Sequence, residues 1–233
     1  MLRASILVID DDREIADLVE IHLVSEGYRV LKAHNAIQGL AYLVNEDIKL
    51  VILDIMMPGM DGLTLCGKIR ETNTVPIIIL SAKSTGLDKI IGLGTGADDY
   101  VTKPFNPLEL TARVKSQLRR YTKLNPNSRD EKRDTEIVLD HLLINKDTHT
   151  VNAYGRDAKL TPTEFDILFL LASNVGRVFS TDEIFERVWN EKMFDANNTV
   201  MVHIRRIREK IEMDSRDARI IKTVWGVGYK IEG

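Results

Sequence analysis

Four segments of this chain end a short apolar run on a polar residue suited to phosphoryl chemistry. SILVI runs into Asp10 and Asp11, LVIL into Asp54, PIIIL into Ser81 and YVT into Lys103. A carboxylate that attacks a phosphoryl group needs a cation to neutralise the transferring oxygens. Mg²⁺ is suited to that task, and it is usually held by one or two carboxylates with waters and substrate oxygens. The adjacent Asp10 and Asp11 fit the metal role, and Asp54, standing alone, fits the nucleophile. Lys103 offers a point charge to phosphoryl oxygens, and Ser81 a hydroxyl donor. Taken singly each position reads as a solvated loop residue; four strand ends carrying complementary groups read as one site. Three carboxylates there repel one another unless a cation joins them.

Such a site needs a scaffold that brings the four ends together. Short Val- and Ile-rich runs separated by helix-length stretches predict parallel strands buried on both faces. Ligands of such sheets sit outside the carboxyl ends of the strands. Five runs each followed by a helical pattern, between residue 5 and about 120, predict an α/β doubly wound, parallel five-stranded domain with right-handed crossovers. The polar stretch TKLNPNSRDEKRD predicts a solvated linker over residues 122–134. The expected organisation is therefore a first domain over 1–121, this linker, and a second domain over 135–233.

Composition narrows the function classes. A chain of 233 residues suits two ordinary domains, and 44% hydrophobic content supports buried cores. No apolar stretch approaches the roughly 20 residues that span a bilayer, which predicts a cytoplasmic protein. The single Cys66 excludes an internal disulfide framework. With 32 basic against 35 acidic residues, any nucleic-acid contact must come from a local patch. GLGTG at 92–96 falls in a helical pattern with no strand before it, so it is not a nucleotide-binding loop. The five histidines are scattered without ligand spacing, which predicts no transition-metal site.

The second half has a different grammar. Residues 136–160 alternate apolar and polar with turn signals at NKD and YGRD, predicting a small antiparallel sheet. Thr161, Pro162 and Glu164 form a capping box with proline at the first helical position, and Ser180 with Glu183 predicts a second. A third helix over residues 199–212 places Val200, Ile204, Ile207 and Ile211 on one face. Thr199, Val202, Arg205 and Arg206 fall opposite, with His203 and Lys210 at the edge. IIKTVWGVGYKI predicts a closing hairpin with Gly226 and Gly228 in the turn. This is the pattern of an α+β winged helix-turn-helix, whose third helix could offer arginines to guanine edges and phosphates.

ILVIDDD, LVILDIMMPGMDG, PIIILSA and GADDYVTKPFNPLEL resemble, in order and spacing, the receiver domain of two-component response regulators. TPTEFDIL, NNTVMVHIRRIREKIE and IKTVWGVGYKI resemble the effector domain of the OmpR/PhoB branch, with motifs most similar to VanR-type regulators. The resemblance implies that Asp54 accepts a phosphoryl group from a sensor histidine kinase. It implies Mg²⁺ held by Asp11, Asp54 and the Met56 carbonyl with help from Asp10, direct phosphoryl contact by Lys103, and a switch pair of Ser81 and Tyr100. In that branch a surface here comprising Lys89, Ile90, Leu93, Asp98, Asp99, Glu109, Leu110, Arg113 and Arg120 forms a homodimer on phosphorylation. Its implied pairs are Lys89–Glu109, Asp99–Arg113 and Asp98–Arg120. Thr199, Val202 and Arg206 would read promoter bases, and Asn198, His203, Arg205 and Thr223 would contact phosphates. Trp225 stands at the wing where many members carry an arginine, and the loop over 190–197 would touch RNA polymerase. The whole is a phosphorylation-dependent transcriptional regulator with weak autophosphatase chemistry, not a metabolic enzyme. Two alternatives remain open at this point, an aspartyl-nucleophile phosphatase and a DNA-binding protein whose first domain only dimerises.

Overall fold

The computed structural model describes residues 4–83, 85–123, 136–189 and 196–232. The chain divides into two compact units, Met1–Tyr121 and Thr122–Gly233.

The first unit alternates strand and helix throughout: β1 (Ser5–Ile9), α1 (Arg13–Ser25), β2 (Arg29–Ala33), α2 (Ala36–Asn45), β3 (Ile48–Asp54), α3 (Gly62–Thr72), β4 (Ile77–Ser81), α4 (Gly86–Thr95), β5 (Asp99–Thr102) and α5 (Pro107–Lys123). The sheet is parallel with order β2-β1-β3-β4-β5. Its central strands carry continuous Ile, Leu and Val because both of their faces are covered, and β1 and β4 are buried at every position. Each of the first four helices starts where a side-chain oxygen accepts an otherwise unpaired N–H. Asp12, Asn35, Asp61 and Thr85 serve α1 to α4 in turn. The chain steps outward from β1 to β2 and then returns past β1 to β3, so the switch in strand order falls between β1 and β3. There the register pairs Ile9 with Leu53, which brings the next residues, Asp10 and Asp54, side by side. Helix α5 continues through Lys123, so the linker stretch begins with two helical residues; 124–134 lie outside the described residues.

The second unit opens with an antiparallel sheet of β6 (Glu136–Leu139), β7 (Leu142–Asn145), β8 (Thr150–Ala153) and β9 (Arg156–Asp157) in sequential order. Three helices follow, α6 (Pro162–Ala172), α7 (Thr181–Trp189) and α8 (Ala196–Ile211), and then the hairpin of β10 (Ile221–Val224) and β11 (Gly228–Ile231). The capping box at α6 is complete, with the Thr161 side chain and the Glu164 carboxylate each serving the other's backbone N–H. At α7 the Ser180 hydroxyl accepts from the Glu183 N–H, while the Glu183 carboxylate pairs with Arg177 and Arg187. One core holds Phe165 and Leu168 of α6, Phe185 and Trp189 of α7, and Val200, Ile204, Ile207 and Ile211 of α8. Helix α8 begins three residues earlier than its apolar stripe suggested. The hairpin is fastened by Phe179, which bridges Tyr229 and lies so near Gly228 that a Cβ there would come within 1.9 Å of the Phe179 carbonyl oxygen. Among the described residues no helix is long and apolar enough to cross a membrane.

Candidate functional site

Asp10, Asp11 and Asp54 each present a carboxylate oxygen within 4.8 Å of the other two. Lys103 closes the cluster, its Nζ lying 2.7 Å from Asp10 Oδ2 and 3.0 Å from Asp54 Oδ1. Asp10 and Asp54 are buried, and Asp11 is exposed at the mouth. Burial pushes the Asp10 carboxyl above its usual range, against the pull of Lys103. The same burial opposes the charge on Lys103, but hydrogen bonds to Asp10 and Asp54 outweigh it and hold the ammonium above its ordinary value. One ammonium shared by three acids leaves the cluster short of positive charge. An all-oxygen donor set with that deficit fits a hard divalent cation such as Mg²⁺.

The loop after β3 folds back over this cluster. The Gly62 N–H donates to the Ile55 carbonyl at 2.9 Å, and a Cβ on Gly62 would come within 2.0 Å of the Asp54 carbonyl oxygen. Gly62 is thus needed for closure over Asp54; the glycine after Asp61 in PGMDG was its only trace in the sequence. Met56 stands in this loop with its side chain exposed. The imidazole of His34 adds a contact that spacing did not reveal, Nδ1 lying 3.1 Å from the Asp10 carbonyl. Ser81 is buried at the end of β4 and its Oγ accepts the Lys83 N–H at 3.2 Å. The Tyr100 ring is turned inward, its hydroxyl donating to the Lys83 carbonyl at 2.8 Å, and burial raises its pKa. Ser81 and Tyr100 therefore meet at one residue, Lys83. The Lys103–Pro104 peptide is cis.

The expected dimer surface is redrawn. Asp98 is 0% exposed, bound to Arg70 Nη2 at 2.8 Å and to the Ile77 N–H at 3.0 Å, so it does not face outward as expected. Arg70 also donates to the Gly96, Asn73 and Val75 carbonyls, tying α3 to the starts of β4 and β5. Leu93 and Leu110, each 2% exposed, are core residues, because they lie on the helix sides that meet the sheet. Asp99 and Arg113 are paired, but within the chain, at 3.0 Å, and Arg113 also holds Glu109 at 2.9 Å. Lys89 and Ile90 are half-buried, whereas Ile91 and Leu108, which lie outside the surface the resemblance implies, are exposed. The Arg120 side chain lies outside the described residues.

In the second unit, Thr199, Val202 and Arg206 share a sector of about 60° on α8 at 100° per residue. Arg205 is exposed and pairs with Glu209 at 3.0 Å. His203 is 0% exposed and its ring packs 5.5 Å from that of Trp189, which corrects its expected place at the phosphate backbone. Three residues after Val200 and four before Ile207, it falls on the side that α7 covers. Thr223 accepts at Oγ1 from Arg208, whose guanidinium also donates to the Ile221 carbonyl and so fastens the hairpin to α8. Trp225 is 90% exposed at the hairpin tip. The Asn198 side chain and residues 190–195, which include most of the expected polymerase loop, lie outside the described residues.

Residues 6–115 match the response regulator receiver domain, and residues 155–231 match the C-terminal domain of transcriptional regulatory proteins. The chain is 50% identical to the regulatory protein VanR of Enterococcus faecium over 97% of this chain and 98% of that one. It is 48% identical to VanRc of Enterococcus gallinarum over the same shares. Among solved structures it resembles the response regulator DrrB, a Thermotoga maritima OmpR/PhoB homolog, at 34% identity over all of both chains with a TM-score of 0.50. With an acidic strand-end cluster in one unit and a winged helix in the other, the chain belongs to the OmpR/PhoB family of response regulators, the phosphorylation-dependent transcriptional regulators of two-component systems.

Proposed function

We propose that Asp54 takes a phosphoryl group from the phosphohistidine of a sensor kinase. A carboxylate oxygen of Asp54 attacks phosphorus, the P–N bond to the kinase histidine breaks, and an acyl phosphate remains on Asp54. Asp10, Asp11 and Asp54, with the Met56 carbonyl, would hold Mg²⁺, which supplies charge neutralisation at the phosphoryl oxygens. Lys103 trades its Asp54 contact for a phosphoryl oxygen. Ser81 gives its hydroxyl to another oxygen, and Tyr100 follows through the shared contact at Lys83. Slow attack by water on the acyl phosphate returns the resting state. The observation that carries this reading is the convergence of Asp10, Asp11, Asp54 and Lys103 at the β1–β3 switch point.

Dimerisation then follows from the surface of α4, β5 and α5. Arg113 is already satisfied by Asp99 and Glu109 within the chain, so replacing those pairs by pairs with a second copy changes little in energy. That exchange sets register and specificity. The driving area comes from Ile90, Ile91 and their neighbours. The domains are those over 1–121 and 135–233 joined by the stretch 122–134, and the protein works in the cytoplasm. Two tethered winged helices occupy repeated promoter half-sites about one helical turn apart, and RNA polymerase meets the loop before α8. On the DNA, Thr199, Val202 and Arg206 read bases, while Asn198, Arg205 and Thr223 hold phosphates. The test is intact mass and gel-filtration size after incubation with Mg²⁺ and acetyl phosphate. One added phosphoryl group and a dimer are expected for the wild type. Neither is expected for Asp54→Ala or with the metal chelated. Labelling that survives Asp54→Ala would refute the assignment.

A further inference from the structure

Among the described residues the most exposed large apolar side chain is Trp225, 90% exposed at the hairpin tip, and Val227 beside it is 56% exposed. Isolated apolar residues on a surface are ordinary. Here the backbone builds the exposure. The Val227 N–H donates to the Val224 carbonyl at 2.9 Å, and Gly226, at φ 73°, takes the third position of that turn, so Trp225 stands at its outer corner. Both strands beneath the tip are held. Arg208 of α8 donates to the Ile221 carbonyl at 2.8 Å, and Tyr229 exchanges two backbone hydrogen bonds of 2.9 Å with Phe179. Through residues 221–231 the hairpin carries Lys222 and Lys230, directly opposite in register, and no acid. Glu232, beyond the strand, pairs with Lys230. Like charges that face each other across two strands are unfavourable, and a polyanion relieves them.

We propose that Trp225 is an apolar wedge for the minor groove of duplex DNA, through which the chain selects deformable base steps. The role depends on α8 entering the major groove, as proposed above. Thr223, two residues before Trp225, is the proposed phosphate contact, so the tip carries that surface past the backbone into the neighbouring groove. An indole has no charge and a single donor, so it reads few base edges; its flat apolar faces fit against deoxyribose and between bases that part. A wedge there unstacks a base step and bends the duplex toward the major groove. Pyrimidine–purine steps open most easily, and the selectivity therefore falls on a step that no hydrogen bond reads. Because the hairpin is already fastened to α8 and Phe179, little freedom is lost on docking.

The probes are duplexes that the phosphorylated full-length chain selects from a randomised pool, together with shortened duplexes holding one half-site. Because Trp225 is exposed, its replacement leaves the core intact. Trp225→Ala should weaken binding about tenfold on both kinds of duplex. The slope of log affinity against log salt should not change, since no phosphate contact is removed. Energy transfer between dyes at the duplex ends should report a smaller bend than the wild type gives, and Trp225→Phe should keep most of the affinity and the bend. Trp189 is 3% exposed, so acrylamide quenching of tryptophan fluorescence reports on Trp225 and should fall when the selected duplex binds. Unchanged affinity or bend in Trp225→Ala, or undiminished quenching in the wild-type complex, would overturn the wedge while leaving α8 its role. A loss confined to the two-site duplex would also overturn it, by making Trp225 a contact between bound copies. On α8, Val202→Glu sets an anion among the proposed base readers and should abolish binding to the selected duplexes. If it does not, the reading of α8 fails and the wedge falls with it.

Discussion

Acid should weaken the second unit through His149, and the size of the effect can be worked from its surroundings. His149 closes the turn between β7 and β8 in a left-handed conformation, φ 50°, with its ring centroid 4.1 Å from that of Phe165. Among the described residues its buried Nδ1 has no hydrogen-bond partner. Burial against Phe165, with repulsion from Lys146 added, lowers the imidazole from 6.5 to about 4. Between those values the unfolded chain binds the proton and the folded one does not. Stability therefore rises with pH across that window, is full above it, and is lost as pH falls toward 4. At pH 5 this linkage amounts to about 2 kcal/mol at most, and partial exposure of the ring brings it nearer ~1 kcal/mol. Both tryptophans, Trp189 and Trp225, lie in this unit, so urea unfolding followed by tryptophan fluorescence reports on it selectively. With an m-value of about 1 to 1.5 kcal/mol per molar for a unit this size, the urea midpoint should fall by roughly 1 M between pH 7.5 and pH 5. His149→Asn keeps a residue that tolerates the left-handed turn and removes the titration. It should start about 1 kcal/mol less stable at pH 7.5, from lost ring contact, and then lose markedly less on acidification. Equal losses in variant and wild type would refute the reasoning.

Two further outcomes follow from the first unit. Lys103→Met leaves Asp10, Asp11 and Asp54 without their ammonium, so the rate of phosphoryl uptake from acetyl phosphate, followed by intact mass, should fall about 100-fold. Mg²⁺ affinity measured by calorimetry should hold or rise, because the acids no longer share their charge with a lysine. Arg70→Met abandons the buried Asp98 carboxylate and should cost the receiver about 3 to 5 kcal/mol, seen as an early loss of helix by circular dichroism in urea. Adding Asp98→Leu should recover most of that loss; no recovery would mean that Arg70 matters through its three carbonyl contacts instead.

What could be read from the sequence, and what could not, divides along a physical line. The positions of Asp10, Asp54, Ser81 and Lys103 are set by backbone. Each is at or immediately after the end of a strand, and a parallel sheet sends all such ends to one edge. Their convergence needed only the strand count and the apolar runs. The Thr161 cap was readable for the same reason, since its partner is three residues away. Asp98 is different: it lies just before β5, its fate is decided by Arg70, 28 residues earlier on α3, and no periodicity connects the two. His203 sits about 70° from the centre of the apolar stripe of α8, a boundary position that helical spacing alone leaves open and that Trp189 closes by packing over it. Resemblance to a dimer interface places Leu93 and Leu110 at the surface, although an apolar residue on a helix that covers a sheet has the core as its first claimant. Glu164 belongs to both classes. One of its oxygens serves a local cap that spacing reveals, and the other faces Arg206 across the fold, where only the packing of α6 on α8 could disclose it. Side chains whose role depends on a distant partner are thus the ones that sequence reading misplaces. In this chain Asp98 and His203 are such residues, each buried against a partner on another element, whereas the groups proposed to react stand where the backbone puts them.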